Sequence, residues 1–312
     1  MRFRGHDLPA NLTSAIGGEP ALRIFILIAA AIVAAPLLGL GGFYLLSEAK
    51  FREVTRDSPF EAAIPTDATS IEHGRHVART RGCFGCHGQQ LQGKDFDEQW
   101  DWPERAVAPN LALYAREHDD ATLEAAIRQG VGANGKALIS MPSYNFARMS
   151  DDDLAALIAF LRSAPVVEID LPKPKLGWGV RWTFFTGEEK HMAEWADAVP
   201  PLRFDGEEEP QRAHGEYLAM TMCNECHGLD LRGATLWDAV TPDLIVVSAY
   251  SREEFEKLIT TGVAMNGREL GLMRLVAPDR FPELTDEEID ALYLHLTSLV
   301  DEPVPTPVFW RP

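Results

Sequence analysis

Arg81-Gly82-Cys83-Phe84-Gly85-Cys86-His87-Gly88 sets two thiols three positions apart with an imidazole directly behind the second, and Cys223-Asn224-Glu225-Cys226-His227 repeats the arrangement in the later part of the chain. The two motifs hold all four cysteines of the 312-residue chain, so no thiol remains to staple a disulfide framework. The repeat extends well beyond the motif. His73-Gly74-Arg75-His76-Val77-Ala78 precedes Cys83 as His214-Gly215-Glu216-Tyr217-Leu218-Ala219 precedes Cys223, and H-G-x-x-L-x-G follows in both places, through Leu91 and Gly93 and through Leu231 and Gly233. Pro109-Asn110-Leu111 answers Pro242-Asp243-Leu244, and Gly130-Val131-Gly132-Ala133-Asn134-Gly135 answers Gly262-Val263-Ala264-Met265-Asn266-Gly267 at an offset of 132. Five matched features in one order make two homologous domains in tandem.

Two cysteines at this spacing can each form a thioether to a porphyrin vinyl group, and the histidine behind them is placed to ligate the iron. The expected cofactors are therefore two covalently bound haem c groups, on Cys83, Cys86 and His87 and on Cys223, Cys226 and His227. A zinc site needs four ligands, and neither domain has a second C-x-x-C. A thioredoxin-like redox pair needs a βαβ setting that is absent. What such a centre does depends on the sixth iron position: a thioether there closes the site for electron carriage, whereas an open position admits peroxide or oxygen. Met141, well downstream of His87, is the candidate in the first domain, and the offset of 132 carries it onto Met273, with Met265 as a rival. Met149, Met220 and Met222 read as packing residues, since methionine more often fills a core than binds a metal. His73, His76, His118, His191, His214 and His295 read as surface or packing side chains.

Ser150-x-x-Asp153, Ser251-x-x-Glu254 and Thr285-x-x-Glu288 predict helix starts. Leu154, Leu157, Ile158 and Leu161 make an apolar stripe at helical spacing, with Ile289, Leu292, Leu296 and Leu299 as its counterpart. Residues 166–212, rich in proline and carrying Glu207-Glu208-Glu209, read as an irregular connector whose Trp178 and Trp182 are expected to be covered by packing. Ile24–Leu46 runs 23 residues without a charge, about 34 Å as a helix and enough for a hydrocarbon core of about 30 Å. A cleavable signal would have a shorter apolar region and a small-residue site. The arginines before the span place the N-terminus in the cytoplasm.

Both halves resemble class I cytochrome c domains, through C-x-x-C-H-G, the Pro-Asn/Asp-Leu segment, a methionine downstream and a final amphipathic helix. The resemblance covers roughly 200 of the 312 residues. It implies an all-α fold: two tandem cytochrome c domains preceded by one N-terminal transmembrane helix, with first and last helices crossing closely at Gly74 and Ala78 and at Gly215 and Ala219. It also implies that the carbonyls of Pro109 and Pro242 orient His87 and His227. The second domain departs from the pattern, having no proline after Met273 and three more residues before its last helix. The expected organisation is a cytoplasmic N-terminus at 1–21, an anchor at 22–46, a tether at 47–65, domain one at 66–165, a connector at 166–212, domain two at 213–301 and a proline-rich tail at 302–312.

Anchor and domains together resemble the cytochrome subunits of alcohol, aldehyde or sugar-acid dehydrogenases, which usually carry three haems, and the diheme subunit of cbb-type oxidases. The function expected is a diheme relay of single electrons, not an enzyme in itself, in a bacterial inner membrane with its haem domains in the periplasm. Its partners would be a dehydrogenase, a cytochrome bc complex or a terminal oxidase. The alternative is a two-haem enzyme, peroxidase-like or thiosulfate-oxidising. Nucleic acid is excluded as a partner, because the net charge is −18 and no basic stripe is present. Residues 201–300 carry 19 acidic and 8 basic side chains, net −11, against 14 and 10, net −4, over 67–162. This asymmetry would steer a basic partner to domain two.

Overall fold

The computed structural model describes residues 18–52, 54, 60–96, 104–236 and 239–301. Most of the expected cytoplasmic segment (1–17), tether residues 53 and 55–59 and the tail at 302–312 lie outside the described residues. The chain divides into two compact units, Met1–Ala49 and Lys50–Pro312. The first is dominated by α1 (Gly18–Lys50), which has Pro36 inside it and leaves side chains such as Leu27 and Leu38 bare. It is long and apolar enough to cross a membrane.

The second unit is mostly helical and contains two large hydrophobic clusters, with two smaller ones beside them. In its first half, α2 (Ala68–Thr80) leads into the short α3 (Cys83–His87), followed by α4 (Leu111–Glu117), α5 (Asp120–Arg128) and α6 (Asp151–Ser163). Asp67, Asn110, Asp119 and Ser150 each accept a backbone N–H at a helix start, satisfying donors that have no intrahelical partner. The expected stripe of Leu154, Leu157, Ile158 and Leu161 is buried against Val77, Ala78 and Leu123. In the second half, α9 (Pro210–Met222) leads into α10 (Asn224–His227), then α11 (Arg252–Thr261), α12 (Gly271–Arg280) and α13 (Asp286–Ser298). Ser251 and Thr285 form the expected capping boxes with Glu254 and Glu288.

The first and last helices of each half cross where a glycine lets the backbones touch. A β-carbon on Gly74 would stand 1.9 Å from the carbonyl oxygen of Ala156, and one on Gly215 would stand 2.0 Å from that of Ala291. The neighbour one turn further on is Phe160 in the first half and His295 in the second.

The structure corrects three expectations. The connector at 166–212 is partly helical, with α7 (Trp178–Thr186) and α8 (Met192–Ala198). The tether is not free where it begins. Phe51 is buried, packs edge-on against Phe184 at 5.3 Å and accepts a hydrogen bond from the Ala137 amide at 2.7 Å. Trp178 and Trp182 are only partly covered: they remain 55% and 56% exposed, and α7 buries its other side through Val180 and Phe184.

The two halves meet reciprocally. Allowing for the extra residues in the second half, His76 corresponds to Tyr217 and Asp153 to Glu288. His76 Nε2 bonds Glu288 across the interface at 2.8 Å, and the Tyr217 hydroxyl donates to Asp153. Arg81 and His73 reach the same Asp153, at 3.5 and 2.6 Å, and Arg75 reaches Glu283 at 3.0 Å.

Candidate functional site

Both C-x-x-C-H motifs are built by the same backbone device. Gly88 and Gly228 end α3 and α10 with φ of +82° and +84°, a region that favours glycine. The chain then turns back so that the amides of Gly93 and Gly233 donate to the carbonyls of His87 and His227, both at 2.8 Å. Leu91 and Leu231 hold the left-handed conformation at φ 58° and 64°, a strained state for a branched residue. Both side chains are buried, and both carbonyls accept the next helical segment's first amide, Leu111 at 2.8 Å and Leu244 at 2.9 Å.

This fold-back carries the imidazoles to the proline carbonyls. His87 Nδ1 stands 2.8 Å from the Pro109 oxygen and His227 Nδ1 2.9 Å from that of Pro242. A carbonyl only accepts, so Nδ1 carries the proton and Nε2 keeps its lone pair. Burial lowers the pKa of both imidazoles, and the proline carbonyls oppose this only in part. Each ring is thus held neutral and oriented, the state a metal ligand requires.

All four cysteines are free thiols. Burial pushes Cys83 and Cys223 up to about 12 and Cys226 to about 11, and it raises Cys86 as well. Burial thus favours the neutral thiol at all four positions. Among the described residues no group of three or more His, Cys, Asp or Glu side chains converges as a metal site. Covalent attachment of a group bearing alkenyl carbons suits this donor set.

Buried polar atoms next to the motifs fit the same group. The side-chain amide of Asn145, in the turn after Met141, is fully buried with neither atom hydrogen-bonded, and Asn224 Oδ1 inside the second motif is likewise unpaired. Such atoms call for polar partners: the Asn145 Nδ2 donor suits a carboxylate of the kind a haem carries, and the two Oδ1 acceptors call for a donor.

Met141 packs against the cluster holding Phe84 and Leu91, and Met273 against the one holding Leu231 and Met222. Met265 is 48% exposed, whereas Met149, Met220 and Met222 are buried among core side chains. Met273 lies on α12, where the first half has only a short 3₁₀ turn at Ser143–Phe146. The three additional residues are absorbed as helix. Of the other histidines, His73 and His76 face carboxylates, His191 caps α8, His118 meets Tyr114 edge-on, His214 is exposed and His295 is buried in α13.

Four further residues join the two motifs. Arg280, at the end of α12, donates from Nη1 to Glu225 Oε2 at 2.9 Å. Its guanidinium also covers Gly82, whose β-carbon, were there one, would lie 2.3 Å from Arg280 Nε. One side chain thus spans from the residue before Cys83 to the residue before Cys226. From the other half, the Tyr144 hydroxyl donates to the Glu225 carbonyl and Asn224 donates to the Tyr144 carbonyl, both at 3.4 Å. Gln89 donates to Asp279 at 3.2 Å. The only sequence signal for these residues is positional: once the three-residue difference is absorbed, Tyr144 and Asn145 correspond to Asp279 and Arg280.

Residues 71–165 match the family model for cytochrome c, so this segment is a cytochrome c domain. The chain is 29% identical over 191 residues to the cytochrome c subunit of a quinone-dependent alcohol dehydrogenase from Gluconobacter oxydans, covering 54% of this chain and 37% of that protein. It is 24% identical over 276 residues to the corresponding subunit from Gluconacetobacter polyoxogenes, covering 77% and 57%. It is 26% identical over 179 residues to the gluconate 2-dehydrogenase cytochrome c subunit of Pantoea cypripedii, covering 50% and 37%. The chain therefore spans between about a third and three fifths of the length of these relatives.

Proposed function

We propose that this chain is a membrane-anchored diheme cytochrome c serving as the electron-transfer subunit of a dehydrogenase that oxidises an alcohol or a sugar acid. The observation that carries the reading is the reciprocal placement of two alike C-x-x-C-H motifs, each with its imidazole tied to a proline carbonyl, on either side of Arg280 and Glu225. When bound, a haem supplies a one-electron couple. Cys83 and Cys86, with Cys223 and Cys226, would retain the two groups. His87 and His227 would ligate from one face through Nε2, and Met141 and Met273 are the proposed ligands from the other.

Tyr144, Asn224 and the Arg280–Glu225 pair pack the gap between the motifs with few exposed atoms, which limits solvent rearrangement as charge moves. The proposed setting is a single-pass anchor at 22–46 in a bacterial inner membrane, with the haem domains in the periplasm. Electrons would arrive from the dehydrogenase and leave to a quinone-linked complex or a terminal oxidase.

Haem stoichiometry tests the reading. The wild-type chain is expected to hold two covalent haems after acidic acetone extraction, and each of Cys83→Ala/Cys86→Ala and Cys223→Ala/Cys226→Ala to hold one. A second double variant that leaves the haem content unchanged would remove the diheme reading.

One observation favours the second reading, a two-haem enzyme: Met273 sits on a helix rather than in a loop followed by proline. Cyanide binding by the resting protein, lost in Cys223→Ala/Cys226→Ala, would establish that alternative. Resistance to cyanide in both halves is the outcome expected of a relay.

A further inference from the structure

Pro142 and Arg274 follow Met141 and Met273 at one position of the repeat, and they differ in a way the backbone must answer: proline has no N–H. In the second half the Arg274 amide donates to the Leu270 carbonyl at 3.1 Å, near the start of α12. The corresponding carbonyl of the first half is that of Leu138, which Pro142 cannot serve. Its donor comes from the connector instead. The amide of Met192, the first residue of α8, reaches the Leu138 oxygen at 2.9 Å. The turn underneath is the same in both halves, Leu138 donating to Gly130 at 2.7 Å and Leu270 to Gly262 at 3.0 Å.

What covers this turn follows the donor. A β-carbon on Gly130 would lie 2.6 Å from the Met192 carbonyl carbon and 2.7 Å from the Ala193 nitrogen, whereas one on Gly262 would lie 2.4 Å from Arg274 Cα and 2.6 Å from the Met273 oxygen. The start of α8 thus takes, against the first half, the place that α12 takes against the second. Helix α8 also holds the chain beyond Met141. The Trp195 ring stands 6.2 Å from that of Tyr144, and the carbonyls of Val199 and Pro200, just past the helix, accept hydrogen bonds from the Arg148 guanidinium. The Val199 side chain is buried in the cluster of Leu218 and Leu292, so the far end of α8 is fixed in the second half.

We propose that α8 is the positioning element of the first methionine, a clamp that holds the loop from Leu138 to Arg148 so that Met141 stays on the haem of the first half. The inference rests on the reading of Met141 as a haem ligand given above. Met273 is held by the helix it belongs to. Met141 is held by a segment outside its own cytochrome c domain, residues 71–165, and the grip on it is anchored in the other half. The connector is then a working part of the first haem centre and not a spacer.

The test uses the full haem-loaded chain with Met192→Pro. Proline suits the first position of a helix, and His191 before it already has the extended backbone that a proline demands, with ψ of 166°. Helix α8 therefore keeps its form while the donor to Leu138 is replaced by a ring carbon. Met192→Ala changes the side chain and keeps the donor. The readouts are the long-wavelength ferric band of thioether-ligated haem and the rate of cyanide binding, with Met141→Ala defining the share of the first haem in each. Met192→Pro is expected to lose most of that share and to bind cyanide many-fold faster than the wild type, Met192→Ala to keep the band, and Met141→Ala/Met192→Pro to lose no more than Met141→Ala alone. A wild-type band and cyanide rate in Met192→Pro, with the band reduced in Met141→Ala, would overturn the clamp and leave the ligand in place. An equal loss in Met192→Ala, or a further loss in the double variant, would mean general loosening and would also overturn it. Should Met192→Pro fail to retain two haems, Trp195→Ala decides: cyanide binding several-fold faster than in the wild type supports the clamp, and an unchanged rate overturns it. A band untouched by Met141→Ala would remove the ligand reading and the clamp with it.

Discussion

The segments that follow Met141 and Met273 start from corresponding positions and end on each other's motif. After Met141 the chain makes a tight turn and sets Tyr144 on Glu225 and Asn224. After Met273 it continues along the ten-residue helix α12 and sets Asp279 and Arg280 on Gln89 and Gly82. The placement is alike and the chemistry is not: one half contributes a phenol and a neutral amide, the other a carboxylate and a guanidinium. Two halves with like motifs thus acquire different electrostatic surroundings from a few residues outside the repeated motif.

The strongest test of the common plan is at the helix crossings. Gly74→Ala and Gly215→Ala each place a methyl group about 2 Å from a backbone carbonyl, so the helices must move apart. Each is expected to cost about 3 kcal/mol, the upper part of the usual range for overpacking, seen as a fall in thermal midpoint of the haem-loaded protein. Equal losses would confirm that the crossings are equivalent. A tolerated Gly215→Ala would mean that His295, in place of Phe160, lets the second crossing relax.

A smaller effect is expected where the halves differ. Arg280→Asn gives the second half the residue that the first has at the corresponding position and leaves Glu225 without its cation. Both midpoint potentials are expected to fall, since removing a buried positive charge disfavours the reduced iron, and Glu225→Gln should raise them. Redox titration checks both signs. If only one potential moves, Arg280 serves one site rather than both.

The smallest effect lies in the reciprocal pairs. The Glu288 carboxyl is held below its ordinary value: burial pushes it up, but the hydrogen bond with His76 and the Thr285 amide more than offset this. A depressed carboxylate contributes stability that is present above the unfolded-state value of about 4.5 and is lost as pH falls through the lower folded value. Glu288→Gln should therefore cost roughly 1 kcal/mol near neutrality and flatten the acid limb of the stability curve below pH 4.5. Denaturant midpoints measured from pH 3 to 7 check this.

Much of this architecture was legible from local signals. Ser251 and Thr285 announce their helices through capping boxes, and Gly74 and Gly215 stand at one position of a repeated hexapeptide. What was not legible depends on distant partners or on contradictory local cues. The pairs His76–Glu288 and Tyr217–Asp153 join residues 212 and 64 positions apart, and nothing near either residue names the other. Helix α7 opens on Gly177, which offers no side-chain cap, and its apolar residues lie on two sides, so it shows no single stripe. Helix α12 carries Pro278 near its end, which argues against a helix when read alone. Phe51 looks like an isolated aromatic in a polar linker until Phe184, far along the chain, is placed against it.

The exchange of partners between the halves, His76 to Glu288 and Tyr217 to Asp153, has the form of a two-fold contact in which one patch is matched to a copy of itself. Identical subunits associate in that way, because a self-complementary surface closes after a single pairing. A one-domain precursor carrying this patch would have formed a homodimer with its two motifs already facing each other. Joining two copies in one gene would then have preserved the contact while freeing each copy to change separately. Arg280 and Asn145, which hold corresponding positions, would then mark such separate change.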